Sequence, residues 1–81
     1  MADSAVHQRI AALAAEEHRL LQAHHDGSGL TEQERARLRE VEVALDQAWD
    51  LLRRREAARD AGLDAATLTE RDPATVEGYL S

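Results

Sequence analysis

The chain has 81 residues, enough for one small domain, and is 43% hydrophobic, yet Trp49 and Tyr79 are its only aromatics and it has no Phe. Ala supplies 16 residues and Leu 11, a helix-forming composition that excludes a β-sandwich or barrel, and the absence of Cys excludes a disulfide scaffold. Sixteen acidic against ten basic residues give a net charge of −6, which argues against free-standing binding to nucleic acid or to an anionic membrane. No apolar run approaches the ~20 residues of a membrane span. Met1 to Val6 contains Asp3 and lacks the basic and apolar regions of a signal peptide. A soluble, cytoplasmic, all-α protein is the expectation. All ten bases are Arg, as codon bias in a GC-rich genome would produce.

The first helix is predicted over about 4–25. Asp3 or Ser4 can cap its first N–H groups, and Val6, Ile10, Leu13, Leu20 and Leu21 fall on one helical face. Asp26-Gly27-Ser28-Gly29 breaks it, with Gly27 suited to the left-handed conformation that stops a helix. The second helix is predicted over 32–61. Thr31 and Glu34 fit a capping box. Leu38, Val41, Leu45, Ala48 or Trp49, and Leu52 then alternate steps of 3 and 4, the pattern of a bundle seam. Gly62 is the natural stop. The intervening loop is short, so the two helices form an antiparallel hairpin over 1–62. The tail, 63–81, starts without a clean period. Asp72-Pro73 then signals a short helix near 73–80, with Val76, Tyr79 and Leu80 on one edge.

The two helices are unequal. At 1.5 Å per residue they span roughly 33 and 45 Å. A turn centred near Gly27 and Ser28 sets Leu45 beside Ile10 and Leu52 beside Asp3. The rest of the second helix overhangs, to be covered by the tail, by a second copy or by solvent. A tail of about two helical turns is expected to close one end of the groove only. A single hairpin leaves its apolar stripe half open, so a homodimer packed as a four-helix bundle is expected, with interface residues Leu38, Val41, Leu45, Trp49, Leu52 and Tyr79. The expected core is Ile10, Leu13, Leu38, Val41, Leu45 and Leu52, with Trp49 at least partly buried.

Three strings, Ala15-Glu16-Glu17-His18, Leu45-Asp46-Gln47-Ala48-Trp49-Asp50-Leu51-Leu52-Arg53 and Val76-Glu77-Gly78-Tyr79-Leu80, resemble a family of short actinobacterial proteins catalogued as a domain of unknown function. The resemblance runs over nearly the whole chain, and the Leu-Asp-Gln-x-Trp-Asp-Leu-Leu-Arg string is its most specific part. It implies an intact small protein. It implies no activity, substrate or cofactor, so no catalytic residue carries over.

Candidate chemistry is sparse. Glu17 falls within the apolar face of the first helix, where a carboxylate must be paired, protonated or near water. With His18, His24, His25 and Glu34 it forms a weak candidate metal site of carboxylate and imidazole donors. The di-iron pattern Glu-x-x-His is absent, because Leu20 follows Glu17 by three and Arg19 follows Glu16 by three. The plainer reading is a hairpin core that frays towards its turn, so that polar side chains reach solvent or pair with Arg35 or Arg39. His7, His18 and His25 form a flanking stripe, either a pH-sensitive surface or a solvated edge. Arg53-Arg54-Arg55 with Arg59 is a basic patch suited to phosphate or carboxylate. No aromatics interleave it, and Asp50, Glu56 and Asp60 sit at neutralising spacings. There is no Cys nucleophile, phosphate loop or Gly-x-Ser-x-Gly elbow. The sequence thus points to a non-enzymatic helical interaction module without a cofactor. Its partner is a second copy or an unidentified protein. The alternative is a small metal-binding or enzymatic helical protein built on Glu17 and the histidines.

Overall fold

In a computed structural model, residues 3–25 and 29–80 are described, with the side chains of His24 and His25 outside that description. Every element among the described residues is helical. Helix α1 spans Asp3–His25, α2 Glu32–Asp60, a 3-10 turn Ala65–Thr67, and α3 Pro73–Leu80. The expected left-handed turn at Gly27 lies outside the described residues; Gly29 takes a left-handed φ of 67°.

Local chemistry sets the ends of α2. The Thr31 hydroxyl accepts from the Glu34 N–H at 3.1 Å, and the Glu34 carboxylate accepts from the Thr31 N–H at 2.9 Å. Both halves of the capping box are therefore made. At the other end Gly62 adopts φ 75°. Its N–H bonds the Arg59 carbonyl at 3.0 Å and the Leu63 N–H bonds the Ala58 carbonyl at 2.7 Å, a Schellman stop. The expected cap of α1 differs, since Asp3 and Ser4 both lie inside its first turn.

α1 and α2 pack antiparallel. Arg37 grips Glu16 towards the turn, and Asp3 meets Arg55 and Arg59 at the far end. Asp3 thus pairs with side chains rooted three and seven positions beyond Leu52, the neighbour expected from loop arithmetic. Helical side chains lean towards their own N-terminus, so the long arms of Arg55 and Arg59 reach back to it.

The tail does more than close one end. It runs back along α2, antiparallel to it. The Leu68 carbonyl accepts from Arg55, the Thr69 carbonyl from Arg54, the Arg71 carbonyl from Gln47, and Arg71 itself binds Asp50. The extended stretch before α3, which carries no helical period, supplies these backbone acceptors; this is why counting helical turns understated the cover.

That cover rotates the core. Val6, Ile10, Ala48, Leu51 and Leu52 form the buried cluster, with Leu45 and Leu68 packed against it. Of the expected core, Ile10, Val41 and Leu52 are buried, while Leu13, Leu38 and Leu45 are half-buried. Leu51, outside the predicted seam, is 1% exposed, and Trp49 is 43% exposed. The seam assumed that α2 has one apolar neighbour. It has two, α1 and the tail, so its buried arc turns towards the tail.

Candidate functional site

The most developed polar site is the clamp that holds the tail. Asp50 is 7% exposed on α2. Arg71 binds it with a two-pronged fork, Nη2 to Oδ1 at 2.9 Å and Nε to Oδ2 at 3.1 Å. Arg54, one turn on, pairs with the same carboxylate at 3.2 Å. The Arg71 guanidinium also donates to the Tyr79 hydroxyl at 3.1 Å and lies 4.9 Å from that ring's centre. The hydrogen bond to Asp50 raises the Arg71 pKa above its ordinary value despite desolvation. Sequence reading placed Asp50 beside the Arg run and passed over Arg71. A lone Arg preceding a capped helix carries no spacing signal, because its partner lies 21 positions away.

The Arg53-Arg54-Arg55 patch resolves into structural contacts. The Arg55 side chain is 2% exposed and joins three segments, α2, Asp3 of α1 at 3.4 Å, and the Leu68 carbonyl of the tail at 3.2 Å. Arg59 holds Asp3 at 2.8 Å. Desolvation pushes the Asp3 carboxyl up, but the guanidiniums of Arg59 and Arg55 outweigh it and hold the group below its ordinary range. An open cleft of about 460 Å³ lies at this end, lined by Asp3, Arg55, Arg59, Leu63, Asp64, Ala65 and Ala66. Its two cations pair with Asp3, and Asp64 in the same lining supplies a second negative charge.

Between α2 and α3 the arrangement is acidic. Glu42, Asp46 and Glu77 share a cleft with Arg39 and Val43. Asp46, then burial, then Glu42 push the Glu77 carboxyl above its ordinary range, and its Oε1 is buried without a hydrogen-bond partner.

The candidate metal residues do not converge. Glu17 is half-buried and makes no hydrogen bond or ion pair with a described residue; His18 is exposed; Glu34 is spent on the capping box. The side chains of His24 and His25 lie outside the described residues. Among the described residues no group of three or more His, Asp or Glu is placed to hold a metal ion. The Arg expected to neutralise this end is Arg37, not Arg35 or Arg39. It forks onto Glu16 at 2.6 and 2.7 Å and holds that carboxyl below its ordinary range.

One flank of α2 also carries apolar side chains. Each residue of α2 advances about 100° around its axis. Leu38, Leu45 and Trp49 therefore share one flank, turned roughly 100–200° from Gln47, Asp50 and Arg54, which bind the tail. Trp49 is 43% exposed there, with Leu38 and Leu45 half-buried. Of the other expected interface residues, Val41 and Leu52 are buried within the chain, and Tyr79 is 67% exposed on α3. No helix among the described residues is long and apolar enough to cross a membrane.

Comparison with known proteins matches this architecture to a family. A model described as a protein of unknown function (DUF2630) covers residues 2–81. An uncharacterized protein of Mycobacterium bovis is 44% identical over 78 residues, spanning 95% of this chain and 88% of its own length. Uncharacterized proteins of two Mycobacterium tuberculosis strains match to the same extent. No solved structure matches the chain.

Proposed function

The chain belongs to the DUF2630 family, and from that premise we propose that it is a non-enzymatic helical interaction module of the cytoplasm, assembling as a homodimer through the open flank of α2. The observation that carries this reading is Trp49. The single Trp of the chain is 43% exposed, beside half-buried Leu38 and Leu45, on the side of α2 that the tail leaves uncovered. Trp is the residue type most often found as an interface anchor.

Shape supports the same reading. The chain measures 50 × 25 × 15 Å with a radius of gyration of 15.0 Å, against about 12 Å for a compact chain of this length. Its accessible surface is 5514 Å². Mass scaling for a folded monomer gives about 4850 Å². The excess, roughly 650 Å², is close to the ~800 Å² that each partner hides in an interface of standard size.

Sedimentation at tens of micromolar tests it. The expected species has about twice the 9.0 kDa chain mass, and Trp49→Glu returns it to a monomer with unchanged helical content. A 9.0 kDa species whose melt does not depend on concentration refutes the homodimer. Elemental analysis of untagged protein separates this reading from the metal-binding one, since stoichiometric metal would replace it.

A further inference from the structure

We infer that the second copy packs with its α2 antiparallel to the first, about a two-fold axis between Gln47 and Ala48, so that Glu42 meets Arg53 and Arg35 meets Asp60 of the other chain. This rests on the open-flank reading and specifies its partner residue by residue.

The warrant is the charge pattern on that flank. Around Leu38, Leu45 and Trp49 the same side of α2 carries Arg35, Glu42, Arg53, Glu56 and Asp60, all exposed. In an antiparallel pair about a two-fold axis, residues at equal height have numbers with a constant sum. An axis between 47 and 48 makes that sum 95. Arg35 then stands opposite Asp60, and Glu42 opposite Arg53. Trp49 lies within one residue of Leu45, and Leu38 faces Ala57. By symmetry each contact occurs twice, giving four ion pairs around an apolar centre. None of the charges named on the flank then stands opposite a like charge of the other chain.

Other registers lose this. Sliding one copy by three residues, about one turn, sets Glu42 against Glu56; sliding it seven the other way sets Arg35 against Arg53. A parallel pair about a two-fold axis would set every charge against itself. A slide of four residues, to a sum of 91, keeps one kind of opposite pair, Arg35 with Glu56, occurring twice; the register proposed is the one that makes four. The tail's anchors on α2, Gln47, Asp50 and Arg54, lie on another side. Its helix α3 borders the flank at one edge only, where Glu42 also lines the cleft with Asp46 and Glu77.

Reversing charges and measuring the dimer dissociation constant by sedimentation equilibrium tests the register, with circular dichroism as a folding control. Glu42→Arg and Arg53→Glu each turn two attractive contacts into repulsive ones and should weaken the dimer about tenfold. Combined in one chain they restore all four charges to opposite pairs, and affinity should return to within about threefold of the parent. The independent pair Arg35→Asp and Asp60→Arg, alone and combined, repeats the test should the first set fold poorly. A dimer that Trp49→Glu abolishes, but that both double reversals leave as weak as the singles, overturns this register and keeps the flank. A dimer indifferent to Trp49→Glu overturns the flank itself, and a monomeric parent overturns both.

Discussion

The rotation of the core towards the tail makes a quantitative prediction at Leu51. Its side chain is 1% exposed and sits in the cluster with Val6, Ile10, Ala48 and Leu52. Leu51→Ala removes the equivalent of about three methylene groups, roughly 2.4 kcal/mol at ~0.8 kcal/mol each. Neighbours on α1 and in the tail are held by ion pairs and cannot fully collapse into the space, so a cavity adds to the loss. The total falls in the range of about 2–5 kcal/mol for such changes. A chain of this size has on the order of 4–12 kcal/mol to lose. Leu45→Ala, at a half-buried site on the seam read from sequence, should cost about half as much in the Trp49→Glu background, where no second copy packs on it. Urea unfolding followed by circular dichroism, with each substitution made in that background, measures both. If Leu45→Ala costs more than Leu51→Ala, or Leu51→Ala costs under about 0.5 kcal/mol, the rotated core is wrong.

Three further outcomes follow from the polar contacts. Glu17→Leu replaces a half-buried carboxylate that has no partner among the described residues, so the melting temperature should stay level or rise by a few degrees; a clear fall would show an ion or metal there. Arg71→Ala removes the fork onto Asp50, and amide exchange across 63–80 should accelerate roughly tenfold or more while α1 and α2 keep their protection; uniform acceleration would mean that the tail is not a separable cover. Glu77 has a raised folded-state pKa, so ionising it costs stability above that pKa, and the cost vanishes as pH falls below the unfolded value near 4.5. Glu77→Gln should therefore raise the melting temperature at pH 7 and lose that advantage by about pH 4; a gain independent of pH would refute the cause. Asp3 and Glu16 carry the opposite sign. Their depressed pKa values add stability above the ordinary carboxylate range that is lost as pH falls through the folded-state values.

What the sequence could reveal follows from the range of each signal. The Thr31–Glu34 capping box, the Gly62 stop and the Asp72-Pro73 start depend on three or four neighbouring residues, and all three stand in the structure as read. The hairpin direction follows from a short loop. The tail's path was not legible, because its hold on α2 uses backbone carbonyls of Leu68, Thr69 and Arg71, which leave no trace in side-chain periodicity. Without that path, Leu51 fell outside the predicted seam, and Trp49 stood on it as a partly buried or interface residue. The Arg run allowed a ligand reading beside that of local neutralisation for the same reason. Arg54, Arg55 and Arg59 are answered by Asp50, Asp3 and tail carbonyls brought from 4 to 56 positions away. At the turn, Glu17 and Glu34 were grouped with the histidines as candidate ligands, but Glu34 has a capping role that the same sequence already stated.

The division of labour around α2 links fold to assembly. A helix of 29 residues with apolar groups on three sides cannot satisfy them in a two-helix hairpin. α1 covers one side, and the tail covers a second through a charged clamp at Asp50 with Leu68 and Val76 beneath it. The third side keeps Trp49, Leu45 and Leu38, bordered by charges of both signs. A large exposed apolar group is costly in a chain that buries only about 60% of its unfolded surface, and the tail is already committed elsewhere. The clamp thus has a consequence at a distance. By fixing the tail on the Asp50 side, it leaves Trp49 without an intramolecular cover. In the antiparallel register proposed above, the alternation of Arg35, Glu42, Arg53 and Asp60 is complementary to itself reversed in direction, so the same clamp that shapes the fold would leave a flank suited to a second copy.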